Sequence, residues 1–401
     1  MKKIEKNEIL LFFGQWTSKV GDIIFDYINS IVIVSVFQSS SLILAIYQSS
    51  QTFINVLFNL IGGTIADIGE RKKILIISDF LSALICLIAS FFINSNHMAI
   101  ALILANIGLA LIFSFSSPTF RSIIPEMVHS DRIGFFNSIS NVGFELIGMV
   151  CPVIGLALIN FIGAREALLV NAVTFAISAV SEIFLVSNIK RNENKIEKKN
   201  IFIEILEGLK YLWNHKKIFI LVIISALINF FLAGYNLLLP YTEVMYEKGF
   251  YGKILVASAI GGICGSFINS KIPSKFTNRG TIMGLFLMIT GISTILFPIF
   301  SFNRNIFISL IPFVLFSIAL TMFNINFMSF VQMNVNERYL GRVFSVIFTI
   351  AVAFMPVGSF FFSKFCDITN INSFYIIGIG ILSLSVICIL LFLKNNETKI
   401  N

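Results

Sequence analysis

The chain has 401 residues, of which 57% are hydrophobic and only 12% are charged, and its mean hydropathy is +0.90. Ordinary soluble domains carry about 25% charged residues, so this composition excludes a soluble globular protein. The net charge of +8 does not indicate nucleic-acid binding, because the basic residues lie mostly in short loops beside apolar segments. The five cysteines have no paired spacing, so they predict neither a disulfide framework nor a metal site.

Twelve apolar stretches follow one another along the chain, and a membrane-crossing helix needs about 20 mostly apolar residues. The pattern predicts an all-α membrane protein with twelve transmembrane helices in two six-helix bundles. The predicted spans are residues 10–37, 43–66, 74–93, 98–117, 137–162, 166–188, 218–241, 251–271, 281–301, 306–330, 341–363 and 372–393.

A long charged segment separates the sixth apolar stretch from the seventh. We therefore expect an N-terminal bundle over residues 1–189, a cytoplasmic linker over 190–215, a C-terminal bundle over 216–395 and a cytoplasmic tail over 396–401. Two six-helix halves joined in this way are typical of transporters in which one bundle rocks against the other.

Lys and Arg concentrate in alternate loops, and placing the amino terminus in the cytoplasm puts the more basic loops inside. This asymmetry predicts that both termini are cytoplasmic. The residues 119–136 mix charged and apolar side chains, which predicts a helix on the cytoplasmic surface. High Ile, Asn, Lys and Phe content suggests an AT-rich bacterial genome. The expected location is the bacterial inner (cytoplasmic) membrane.

The first span carries Asp22 and Asp26, four residues apart and therefore on one helix face, with Lys19 nearby. A carboxylate at the centre of a membrane helix costs about 2.5–3.5 kcal/mol, so we read the two as candidates for proton coupling. The alternative is a buried Lys19–Asp22 pair that serves helix packing. Asp79, close to the start of the third span, is predicted to be structural and to partner the basic loop before it.

The loop between the second and third spans contains Gly63, Asp67, Arg71 and Lys72. Its spacing resembles the signature loop of the major facilitator superfamily. The resemblance implies that these four residues form a conformational latch at the cytoplasmic ends of the helices. The alternative interpretation is a tight turn followed by a basic cluster.

Three further segments resemble the macrolide-efflux and secretion-effector branch of that superfamily: residues 121–128, 207–212 and 337–345. The resemblance covers both halves of the chain. It implies a proton-driven exporter of drug-like or natural-product molecules that works without a cofactor.

The fifth span has Asn137, Asn141 and Glu145 at intervals of four, which predicts a polar stripe with Glu145 as a third candidate for proton coupling. Pro152 and Pro356 are predicted helix kinks, although close packing explains Pro152 equally well. Amides facing lipid are costly, so other polar stripes are expected to face a central cavity. The candidate cavity residues are Asn29, Gln48, Gln51, Asn55, Asn59, Asn141, Asn229, Tyr235 and Asn236.

The sequence contains no phosphate-binding glycine-rich loop followed by Lys, so we expect neither an enzyme nor a pump driven directly by ATP. The expected partners are a small amphipathic substrate, protons and the lipid bilayer, with no nucleic acid, and the expected unit is a monomer. Three alternatives stay open: an exporter of a self-made metabolite such as a siderophore or metallophore, an importer or facilitator, and a non-transporting membrane receptor.

Overall fold

A computed structural model describes residues 6–37, 41–68, 70–129, 132–186, 209–272, 280–302, 305–335 and 337–397. These residues form twelve helices of at least 20 residues and the short helix Thr242–Met245, residues 209–214 are also helical, and no strand occurs among them. The helices are α1 (Lys6–Val36), α2 (Leu42–Ile68), α3 (Arg71–Phe92), α4 (Met98–Met127), α5 (Ile133–Ile162), α6 (Ala164–Ile183), α7 (Lys216–Leu238), α8 (Thr242–Met245), α9 (Phe250–Lys271), α10 (Gly280–Ser301), α11 (Ile306–Asn334), α12 (Glu337–Phe365) and α13 (Ser373–Glu397).

Within the described ranges, nine helices are long and apolar enough to cross a membrane. Helices α2 and α12 contain shorter apolar stretches, Leu42–Phe58 and Thr349–Phe365. The expectation of an all-α membrane protein is therefore confirmed.

The chain divides into two compact units, one formed by residues 1–37 and 46–197 and the other by residues 38–45 and 198–401. In the first unit α1 packs against α4, α5 and α6, and α3 packs against α4 and α6. In the second unit α10 packs against α11 and α13, while α7 packs against α12 and α13. Most of the predicted linker lies outside the described residues.

The predicted surface helix over residues 119–136 is wrong. Helix α4 continues to Met127, and α5 begins at Ile133. The end of α4 carries Phe120 and Ile123, which are buried together with Leu11 of α1 in an apolar cluster. Burial of this stripe stabilises the extended helix inside the unit. Two of the charged residues in this range, Glu126 and Arg132, pair within the protein.

Helices α1 and α6 approach closely where Gly21 faces Phe175. A Cβ atom on Gly21 would lie 2.8 Å from two ring carbons of Phe175 and 3.0 Å from the Thr174 hydroxyl oxygen. Such distances leave no room for a methyl group unless the Phe175 ring moves. The absence of a side chain at Gly21 therefore lets α6 pack directly beside the acidic face of α1.

Candidate functional site

The acidic pair predicted in the first span lies on α1, inside the first unit. Asp22 is partly exposed. The charged groups that act on it electrostatically are Lys19, Asp79 and Asp26. Lys19 therefore acts on Asp22 electrostatically, but the described residues show no Lys19–Asp22 ion pair of the kind that the packing alternative requires, and two further carboxyl groups lie near Asp22. One Lys therefore stands against three carboxyl groups, so Lys19 cannot neutralise all three when they are ionised.

Asp26 is exposed on α1 and hydrogen-bonds the side chain of Tyr47 on α2. The Asn29 amide nitrogen donates to the Tyr47 hydroxyl at 3.4 Å, and both Asn29 and Tyr47 are buried. The Tyr47 hydroxyl therefore joins the predicted cavity residue Asn29 to Asp26. This arrangement orients the Asp26 carboxyl while leaving it open to a proton or a ligand.

Asp79 of α3 is buried between α1 and α6 rather than paired with the basic loop. The Ser18 hydroxyl lies 2.6 Å from the Asp79 Oδ2 atom and 3.1 Å from the Ser178 hydroxyl oxygen, and Ser178 donates to the Gly14 carbonyl at 2.8 Å. The predicted partner of Asp79 was wrong, because its described partners are hydroxyl groups. In the basic loop, Arg71 and Lys72 make their described contacts at the ends of α4 and α6, and Lys73 pairs with Glu70.

Glu182 near the end of α6 was missed by the sequence reasoning. It is only 4% exposed, it interacts electrostatically with Asp79, and its Oε2 atom has no hydrogen-bond partner among the residues that the structure describes. The spacing of Asn171, Ser178 and Glu182 at seven and four residues was a signal that could have placed them on one helix face.

Two basic residues of the predicted latch tie α3 to its neighbours. The Arg71 guanidinium donates to a Glu126 carboxylate oxygen at 2.5 Å and to the Ser122 carbonyl at 2.8 Å. Lys72 donates to the carbonyls of Ile183 and Leu185 at 2.7 and 2.8 Å. Lys72 thereby satisfies carbonyls that the end of α6 leaves unpaired within the helix.

The other two predicted latch residues, Gly63 and Asp67, fall where side chains lie outside the described part of the structure. Their role in a latch remains a prediction. We use the term basic end for the end of the first unit where Arg71 and Lys72 lie, together with the start of α1.

A buried ion pair at the basic end was also missed. The Arg132 guanidinium donates to a Glu8 carboxylate oxygen at 2.6 Å, with the two side chains 7% and 1% exposed. Nearby, Asn7 donates to the Val186 carbonyl at 2.8 Å and accepts from the Val186 amide at 3.2 Å. These contacts fasten the start of α1 to the start of α5 and to the residues after α6.

We expect Lys72→Met to lower the thermal stability of the first unit, since it leaves the carbonyls of Ile183 and Leu185 without their charged donor. Hydrogen bonds to charged groups contribute about 1.5–3 kcal/mol. The unfolding midpoint of the purified protein in detergent measures the effect. Lys73→Met is the matched control, because Lys73 is exposed and pairs only with its helix neighbour Glu70 in the described structure. Equal midpoints for the two variants would contradict the expectation.

The polar stripe on α2 is partly used for helix packing. Asn55 accepts a hydrogen bond from Ser114 of α4 at 3.3 Å. The buried Asn106 of α4, which the sequence analysis did not single out, donates to the Tyr47 carbonyl at 2.6 Å. Gln51 is exposed and Gln48 is partly exposed. The side chains of Asn59, Asn141 and Glu145 lie outside the described part of the chain.

The candidate cavity residues of the second unit lie in different environments on α7. The Asn229 amide donates to the Ser225 carbonyl within its own helix at 2.9 Å, and Asn236 is exposed. Tyr235 is buried and stacked on Phe316 with ring centroids 4.2 Å apart. Among the described residues the Tyr235 hydroxyl has no hydrogen-bond partner. Asn229 is partly exposed and Asn236 is exposed, so Asn236 is the most accessible of the three.

The two predicted kink prolines lie inside long helices. Pro152 falls within α5, and Pro356 falls within α12. Each removes one backbone donor from the helix interior, which is the physical basis for a bend at that point. Their role as kinks stays a prediction.

The chain was compared with known proteins. The family model of the Major Facilitator Superfamily matches residues 11–353. Macrolide efflux protein A of Streptococcus pyogenes is 23% identical over 349 residues, which cover 81% of each chain. Multidrug efflux pump Tap of Mycolicibacterium fortuitum is 24% identical, covering 96% of this chain and 95% of its own length.

Among solved structures, the fold is similar to that of a bacterial homologue of the iron transporter ferroportin in its inward-facing state. The TM-score is 0.75 at 15% identity, covering 98% of this chain and 99% of the other. At this identity the likeness shows the fold alone. The family itself is shown by the match of the family model over most of the sequence: the chain belongs to the Major Facilitator Superfamily.

Proposed function

We propose that this protein is a proton-coupled exporter, which moves drug-like amphipathic molecules out of the cytoplasm in exchange for protons. The observation that carries the proposal is the acidic face of α1, where Asp22 and Asp26 lie within the first unit near a third carboxyl, Asp79. The names of the efflux relatives support the direction of transport.

The energetic argument starts from the cost of carboxyl groups in a membrane helix, which is about 2.5–3.5 kcal/mol each on insertion scales. Protonation removes that cost, so a carboxyl that opens in turn to either side of the membrane can carry a proton. Each charge that crosses the membrane down its potential releases about 2.3 kcal/mol per 100 mV. Movement of one proton through Asp26 would therefore supply enough free energy for appreciable accumulation of a substrate outside.

The substrate class is inferred from the accessible polar groups. Within the first unit, Gln51 of α2 is an exposed amide and Asp26 of α1 is an exposed carboxyl. Amides with a carboxyl among apolar helices suit a bulky amphipathic molecule, and the carboxyl favours one with a positive charge. Macrolide-type antibiotics have this chemistry.

The proposed setting is the cytoplasmic membrane of a bacterium, with both termini and the basic end of the first unit in the cytoplasm. We propose that a monomer carries out transport without a cofactor, driven by the proton gradient. Glu145 stays a candidate for proton handling.

Proton release from energised inside-out vesicles tests this function. Addition of a panel of macrolides and other amphipathic cations is expected to release protons from vesicles that contain the protein, and not from vesicles that lack it. A pH-sensitive dye in the vesicle lumen measures the release. Release that requires an added metabolite of the siderophore or metallophore type, with no response to the panel, would contradict the drug-like substrate class and favour a dedicated metabolite exporter. Substrate export without proton movement would contradict proton coupling.

A further inference from the structure

In the first unit a line of polar groups leads from the basic end to Asp22, one of the carboxyl groups proposed for coupling. On α1 the line follows Gly14, Ser18 and Asp22, which lie at intervals of four residues. Asp79 of α3 reaches it from one side. Residues Ser178 and Glu182 reach it from α6, also one helical turn apart. Three helices therefore supply groups to one seam, which is buried at Asp79, Ser178 and Glu182 and partly exposed at Ser18 and Asp22.

Neutral hydroxyl groups hold Asp79 inside this seam. The Ser18 hydroxyl donates to the Asp79 Oδ2 atom at 2.6 Å, and the Ser178 hydroxyl donates to the Gly14 carbonyl at 2.8 Å. The two hydroxyl oxygens are 3.1 Å apart. Asp79 is thus a buried carboxyl whose described contacts are to hydroxyl groups and not to a cation, and a buried carboxyl without a positive partner favours binding a proton.

Glu182 adds a carboxyl group that lacks a charged partner. A Cβ atom on Gly14 would lie 3.3 Å from the Glu182 Cγ atom and 3.1 Å from the Ser181 hydroxyl oxygen, so the Glu182 side chain lies against α1 at the start of the seam. In the part of the chain that is described, its buried Oε2 atom accepts no hydrogen bond. An ionised carboxylate without donors is strongly disfavoured in such an interior, so Glu182 favours holding a proton.

The charged and titratable groups that face the seam come from all the packed helices. Helix α1 contributes Lys19 beside Asp22, and α3 contributes Cys86 near Asp22. Cys151 of α5 lies near Lys19. The Lys72 side chain of α3 reaches the end of α6, where it donates hydrogen bonds to two backbone carbonyls. None of the basic groups in the described residues forms an ion pair with Asp79 or Glu182.

The seam has the dimensions of a proton path. Helix α1 rises about 1.5 Å per residue, so the levels of Gly14 and Asp26 are about 18 Å apart along its axis. The hydrocarbon core of a bilayer is about 30 Å thick. The carboxyl groups of Glu182, Asp79, Asp22 and Asp26 therefore divide more than half of that thickness into short steps.

We propose that Asp79 and Glu182 form a second proton-binding site inside the first unit, which passes protons between the basic end and Asp22. This inference rests on the proposed proton coupling and adds the route by which protons reach α1. In each step an O–H bond breaks at one carboxyl and forms at the next. The group that gives up its proton is left as a carboxylate, ready to accept another. No electron transfer or co-reactant is involved.

Infrared difference spectroscopy of the full-length protein in lipid tests for the site without any substrate. Protonated carboxyl groups have a C=O band that shifts in heavy water. We expect the wild type to show buried bands of this kind, and we expect Asp79→Asn and Glu182→Gln each to remove one. Ser178→Ala keeps both carboxyl groups, and it is expected to shift the Asp79 band. Because Ser178→Ala is a mild change, it keeps the test valid if an acidic-site variant fails to fold.

A transport measurement then tests the role in coupling. Glu182→Gln is expected to retain substrate exchange across the membrane without a proton gradient, and to lose substrate-triggered proton release. Glu166→Gln is the matched control on the same helix, since Glu166 is exposed, and it is expected to behave like the wild type. Bands that persist in both acidic-site variants, or full proton release by Glu182→Gln, would overturn the proposal.

The two proposals fail in different ways. If Asp26→Asn loses proton release but Glu182→Gln and Asp79→Asn keep it, the second site is wrong while the exporter stands. If the wild type releases no protons on substrate addition, the proposed coupling is wrong. The infrared bands then decide by themselves whether the buried site holds protons.

Discussion

Asp26→Asn is expected to abolish proton-driven export while leaving membrane insertion and folding intact. The Asn side chain has nearly the same shape as Asp, and its carbonyl oxygen can still accept the hydrogen bond that links this position to Tyr47. It cannot bind and release a proton near neutral pH. Positioned proton transfer contributes about 10²–10⁴-fold to rates in enzymes, and we expect a loss of export of about a hundredfold or more.

The measurement is substrate accumulation in inside-out vesicles under a proton gradient, with protein amount and detergent-extracted monodispersity determined for each variant. Tyr47→Phe is the matched control, because it removes the same hydrogen bond but keeps the carboxyl group. It is expected to retain coupling. Full export by Asp26→Asn, or equal losses in both variants, would show that the carboxyl itself is not the coupling group.

Glu8→Ala and Arg132→Ala are each expected to destabilise the protein by about 3–5 kcal/mol, the usual effect of leaving one charge of a buried ion pair unpaired. The side chains of Glu8 and Arg132 are 1% and 7% exposed, and their charged atoms are 2.6 Å apart. Replacement of both by uncharged residues of similar size, Glu8→Gln with Arg132→Met, is expected to recover much of the loss. The reason is that no buried charge remains without its partner.

Thermal unfolding midpoints in detergent compare the two single variants with the double variant. The exposed pair Glu70–Lys73 provides the control, with side chains 72% and 68% exposed. Glu70→Gln and Lys73→Met are expected to change stability by about 0–1 kcal/mol. A small effect of both single variants at Glu8 and Arg132, equal to that at the exposed pair, would contradict the role of the buried pair in holding α1 against α5.

Much of the architecture follows from patterns that are local in the sequence. The length and apolar character of segments such as 98–117 and 372–393 already predict membrane helices, because hydropathy over about 20 residues is a property of the segment itself. The spacing of Asp22 and Asp26 likewise predicts a shared helix face. Family membership was also anticipated, from short motifs in the loops.

The error over residues 119–136 has a different origin. Its charged residues suggested a surface helix, but Glu126 pairs with Arg71, which is 55 residues away in sequence. The apolar residues between the charges are buried against α1 and α3. A charge that is neutralised by a distant partner looks the same in sequence as a charge that faces water.

By itself the sequence determined the solvent of the protein, the approximate positions of its membrane helices, its superfamily and the acidic face of the first span. Only the tertiary structure decided which polar groups meet. It brought Arg132 to Glu8 across 124 residues and Ser18 to Asp79 across 61 residues, and it buried Glu182 beside that seam. The physical reason is that such contacts depend on how neighbouring helices rotate and slide against one another. That arrangement is set by packing at positions such as Gly14 and Gly21, where the absence of a side chain allows close approach.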